Sequence, residues 1–116
     1  MALTLYGIAN CDTVRKARKW LEAEGIAYAF HDFKKQGLKA EMVYDWLSHQ
    51  PLDIVLNRRG TSWRKLSDDE KAITDEKQLV ALMVANPSLV KRPVCVAGST
   101  VTVGFSDDVQ ATLKAL

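Results

Sequence analysis

The chain carries only two cysteines among 116 residues. Neither belongs to a CxxC pair or stands at zinc-ligand spacing from a histidine, which excludes a disulfide scaffold and argues against a structural zinc. His31 and His49 have no cysteine, histidine or carboxylate at a ligand spacing, so no metal is expected. No apolar run approaches the about twenty residues that a membrane helix needs. The opening MALTLYGIAN lacks a basic segment followed by an apolar one, so neither a span nor a secretory signal is expected. A reducing cytoplasm is the expected compartment, where an exposed thiol persists. Sixteen basic against fourteen acidic residues give +2, too small a bias to imply nucleic acid, although small anions fit. Internal repeats, low-complexity tracts and long Pro/Gly/Ser linkers are also missing, so residues 1–116 read as one domain.

What is present is a composition 47% hydrophobic and 26% charged, with one core burying roughly 65% of the unfolded surface. Residues 2–8 are apolar and β-prone. From Thr13 to Glu24, Val14, Ala17 and Leu21 recur at helical spacing, and Gly25 marks the end. Ile26 to Phe33 alternates as a second strand, and strand-helix-strand over this length predicts parallel pairing. Leu38 to His49 is an amphipathic helix closed by Pro51. Residues 61–86 are mostly helical, with a capping-box pattern at Ser67/Glu70 and another helix start at Thr74. Val94–Ala97 and Thr100–Val103 flank Gly98-Ser99 as a hairpin, and Ser106 caps a last helix over 107–115. The order β-α-β, helices, β-β-α predicts an α/β protein: a four-stranded mixed sheet with an inserted helical segment at about 38–86.

Cys11 sits where the first strand ends and the first helix begins, facing that helix's unpaired N–H groups. An ordinary cysteine is only about 5% thiolate at neutral pH, and helix ends and cations lower its pKa. The helix end contributes at most about 2 kcal/mol, so a thiol mostly ionised at pH 7 needs a nearby cation as well. Arg15, one turn along, is the local candidate. Asp12 opposes ionisation by its charge. Cys11 is alternatively a small packing residue, but its polar neighbours Asn10 and Asp12 suit an exposed tip. Val14 stands where the resolving cysteine of a CxxC would be.

Cys95, inside Val94-Cys95-Val96, reads as a buried thiol. Pro93 is placed where a strand's first residue needs no N–H. A cis Arg92–Pro93 bond would make a tight turn that leaves neighbouring backbone free for an extended peptide. Arg58 reads as a solvated loop residue, and Trp20, Trp46 and Trp63 as packing residues.

Three segments together, Tyr6-Gly7-Ile8-Ala9-Asn10-Cys11-Asp12-Thr13, Leu56-Asn57-Arg58-Arg59-Gly60 with Trp63-Arg64-Lys65-Leu66, and Lys91-Arg92-Pro93-Val94, resemble the ArsC/Spx family. The similarity covers nearly the whole chain, including Val103-Gly104-Phe105-Ser106. Within the family it is greatest to the YffB-type members, regarded as glutathione-dependent thiol reductases. The resemblance implies a thioredoxin/glutaredoxin-like fold with a helical insertion. In the family's arsenate reductases a cysteine at the position of Cys11 attacks arsenate and three arginines hold the oxyanion. Arg59 and Arg92 match two of these, Phe105 replaces the third, and Gly7 replaces a histidine. Losing one charge-assisted partner weakens an oxyanion by about 10- to 100-fold. Spx-type members carry CxxC and bind RNA polymerase; Val14 removes that switch.

These features imply a glutathione-dependent thiol-disulfide reductase with Cys11 as its single nucleophile and glutathione as co-substrate. Asn10, Arg15, Arg59, Arg92 and Pro93 are the expected binding residues for glutathione and a small oxidised thiol or oxyanion. A monomer without nucleic-acid or membrane partners is expected. The alternatives are an arsenate reductase with an incomplete oxyanion site and a non-catalytic Spx-like regulator docking on RNA polymerase.

Overall fold

The computed structural model describes residues 2–116. The chain divides into two compact units, one formed by residues up to Gly37 with Arg92–Leu116, the other by Leu38–Lys91.

The first unit holds β1 (Thr4–Gly7), α1 (Asp12–Ala23), β2 (Ala29–Asp32), α2 (Phe33–Gln36), β3 (Val94–Ala97), β4 (Thr100–Val103) and α8 (Asp107–Lys114). Its sheet runs β2-β1-β3-β4. β1 and β2 are parallel, with Leu5 opposite Phe30, as a crossover through α1 requires. β1 with β3 and β3 with β4 are antiparallel, so Cys95 lies between Leu5 and Thr102. The mixed sheet read from the sequence is therefore present. Leu3 and Leu5 meet Val14, Ala17 and Leu21 of α1, Cys95 and Ala97 of β3 and Leu113 of α8 in one core. Each buried leucine in it contributes about 1.5–3 kcal/mol.

β2 is shorter than the alternation suggested. Asp32 ends it, because its side chain accepts from the Lys34 N–H and caps α2, drawing Phe33 into that helix. The β3–β4 hairpin falls on its expected residues, with Gly98 at φ 59°, a value that favours glycine. Ser106 caps α8 by accepting from the Val109 N–H.

The second unit holds α3 (Ala40–Leu47), α4 (Leu52–Val55), α5 (Thr61–Arg64), α6 (Asp68–Lys71), α7 (Glu76–Ala85) and a 3-10 turn at Pro87–Leu89. α3 packs on α7 and α4. Val43, Trp46, Val55, Leu56, Leu79, Val80, Met83, Leu89 and Val90 are buried. The Ser67/Glu70 capping box forms in both directions. α7 starts one residue later than Thr74 suggested, on Asp75, whose carboxylate accepts from the Gln78 N–H. Leu56 and Val90 form an isolated antiparallel bridge, extended by Asn57 N–H to Leu89 O at 2.8 Å and Lys91 N–H to Val55 O at 2.8 Å. This bridge fixes the backbone that leads into a loop at residues 57–60.

Candidate active site

Cys11 is the N-cap of α1, in extended backbone and half-buried. Its N–H donates to Ile8 O at 3.3 Å, closing the turn between β1 and the helix. The sulfur makes no capping hydrogen bond of ordinary geometry. Burial alone would push its pKa up. The backbone N–H of Val14, a hydrogen bond and the positive charge from the Arg92 guanidinium, and the Thr13 N–H together outweigh that, holding the thiol below the ordinary cysteine value.

The cation on the thiol is thus Arg92, and this corrects the assignment of that role to Arg15. Arg15 forms an ion pair with Asp12 on the exposed side of α1. An i,i+3 partner on the same helix lies within easy reach of its guanidinium. The pair also offsets the Asp12 charge that would oppose the thiolate.

Arg92 enters from the strand that follows it. The Arg92–Pro93 peptide bond is cis. Pro93 is buried, and its carbonyl accepts from the Gly104 N–H at 2.9 Å, tying the start of β3 to the end of β4. Phe105, the next residue, packs edge-on against Trp20 with ring centroids 5.5 Å apart. Both rings rest on the core that Cys11 also borders. The position matched to a family arginine therefore carries a packing residue.

Gly7 and Val14, the other two departures, are one arrangement. A Cβ on Gly7 would stand 2.8 Å from Val14 Cγ2, closer than such contacts allow, so a side chain at residue 7 requires that residue 14 give way. Val14 is fully buried.

Asn10 is exposed in the turn beside Cys11. Cys95 is 1% exposed, and burial pushes its thiol up to about 11, which the neighbouring Thr102 hydroxyl only partly offsets. It is a neutral core residue at physiological pH. Among the described residues no group of three or more potential metal ligands occurs, and no helix is long and apolar enough to cross a membrane. The His31 ring lies 4.9 Å from that of Tyr6, with Nε2 2.8 Å from Gly37 O.

Arg59 belongs to the second unit and is exposed. Its backbone is held on two sides: its N–H donates to Asn57 Oδ1 at 3.0 Å, and its carbonyl accepts from Arg64 Nη2 at 3.1 Å. Arg58 is an exposed loop residue, as read; it also pairs with Asp53, and its guanidinium lies 5.4 Å from the Trp63 ring centroid. Arg58, Arg59 and Lys91 line a cleft of about 260 Å³ with Asp53, Ile54, Leu56 and Asn57. Sequence reasoning passed over Asn57 and Lys91. The asparagine two residues before Arg59 is a signal for the side-chain turn that forms.

Residues 6–113 match the ArsC family. The chain belongs to the ArsC family. Among ArsC-family structures it is similar to the YffB protein, at 44% identity and TM-score 0.90 over 96% of this chain and 97% of that one. It is also similar to an arsenate reductase (ArsC) related protein from Brucella melitensis, at 46% identity and TM-score 0.77 over 100% and 97%. The global transcriptional regulator Spx of Listeria innocua is 29% identical over 108 residues, 91% of this chain and 82% of that protein. The fold is the thioredoxin-like fold of the ArsC family, whose reductase members support an oxidoreductase.

Proposed function

We propose that the protein is a cytoplasmic, monomeric thiol-disulfide reductase that uses Cys11 as its single nucleophile and glutathione as its co-substrate. The observation that carries this reading is the Arg92 guanidinium on a helix-capping thiol whose pKa lies below the ordinary value. In the first step the Cys11 thiolate attacks one sulfur of a substrate disulfide, forming a mixed disulfide and releasing the other sulfur as a thiolate. Glutathione thiolate then attacks the substrate-derived sulfur. That restores the Cys11 thiolate and leaves a glutathione mixed disulfide, which a second glutathione converts to oxidised glutathione and the free substrate thiol. The two electrons come from the two glutathione molecules.

A resolving thiol from solution is needed because Val14 occupies the helix position of a second cysteine and Cys95 is buried and protonated. Arg92 steadies the attacking and leaving thiolate. Asn10, Arg15, Arg59 and the main chain at Arg92–Pro93 are the proposed contacts for glutathione and a small oxidised thiol. Arsenate is the poorer substrate on this reading, because Phe105 offers an oxyanion no charge-assisted hydrogen bond, worth about 1.5–3 kcal/mol.

Mass spectrometry of the reduced protein exposed to oxidised glutathione tests the proposal. One adduct on Cys11, removed by reduced glutathione and missing in Cys11→Ser, is expected. A Cys11–Cys95 disulfide, or glutathione-coupled disulfide reduction that survives Cys11→Ser, would refute it.

A further inference from the structure

Arg59 and Lys91 line one cleft, and neither has an acidic partner among the described residues. The single carboxylate there, Asp53, is taken by Arg58, whose guanidinium also approaches the Trp63 ring. Both unpaired cations are anchored through their backbones: Arg59 by Asn57 and Arg64, Lys91 by its N–H to Val55 O at 2.8 Å. Two like charges lining one concave surface whose carboxylate is already paired with a third cation repel each other, and an anion between them relieves the repulsion. Asn57 also lines the cleft, and the volume of about 260 Å³ takes a carboxylate with its neighbouring peptide atoms.

We propose that this cleft is an anion subsite in which Arg59 and Lys91 together bind a carboxylate of the peptide co-substrate. Arg59 supplies a planar fork of donors and Lys91 a mobile ammonium. The ligand's identity rests on the glutathione reading above; the cleft's preference for an anionic oxygen group does not. Lys91 sets affinity for the carboxylate and takes no part in sulfur chemistry.

The test uses the full chain with S-methylglutathione, which keeps both carboxylates and has no reactive thiol, and its diethyl ester, which has neither carboxylate. Titration followed by backbone amide shifts should show the acid moving residues 57–59 and 91, with the ester binding more weakly. Lys91→Gln should weaken the acid about three- to tenfold, leave the ester unchanged, and be rescued by Lys91→Arg. Equal weakening of acid and ester, or no effect of Lys91→Gln on the acid, would overturn the subsite. If the acid does not bind but inorganic phosphate does, with the same dependence on Lys91, the anion site stands and the glutathione reading fails. If neither shifts the cleft residues, the subsite proposal fails.

Discussion

Val14 occupies the space that a side chain on Gly7 would need, its Cγ2 lying 2.8 Å from the position of a Cβ there. The two residues therefore act as one packing unit beneath the cysteine turn. Gly7→Ala is expected to destabilise the protein by about 1–3 kcal/mol, as overpacking in a tight core does. Val14→Ala opens the space at its own cost. Chemical denaturation of both single variants and the double should show the double less destabilised than the sum, by at least about 0.5 kcal/mol. Strict additivity would mean that the two side chains do not compete.

The two cysteines should affect pH stability with opposite signs. Cys11 is held below its unfolded value, so its contribution is fully present above that value and is lost as pH falls through the folded pKa. Cys95 is raised from an ordinary value of 9.0 to about 11. The unfolded chain therefore loses its Cys95 proton first, and stability falls between those two values, by roughly 2–3 kcal/mol in all. Comparing denaturation midpoints of wild type and Cys95→Ala across alkaline pH isolates this effect. Parallel curves would contradict it.

Restoring an arginine at residue 105 should damage packing before it helps an anion. Phe105→Arg removes the edge-on contact with Trp20 and part of the cover over the core. A loss of about 1–3 kcal/mol is expected in thermal or chemical denaturation. An unchanged midpoint would show the ring to be dispensable.

Much of this architecture is legible in local sequence signals. The hairpin is marked by a glycine whose positive φ the turn requires, α6 by a reciprocal cap, and α1 by Val14, Ala17 and Leu21, all of which are buried. The single-turn helices at Phe33–Gln36 and Leu52–Val55 are not, because one turn shows no periodicity. Cys11 could be singled out from its place at a helix start. Its cation could not be chosen by spacing: Arg15 is near in sequence but is captured by Asp12, whereas Arg92 reaches the sulfur through tertiary structure. Family resemblance carried Arg92, and it carried Arg59 without the Asn57 turn or the neighbouring Lys91.

The central claim, a thiolate held by Arg92, is tested most directly by the rate of Cys11 alkylation with neutral iodoacetamide against pH. The account predicts a midpoint below the ordinary cysteine value in the wild type and in Arg15→Gln, and a clear rise in Arg92→Gln. A wild-type midpoint at or above the ordinary value, or one that Arg92→Gln leaves in place, would contradict it.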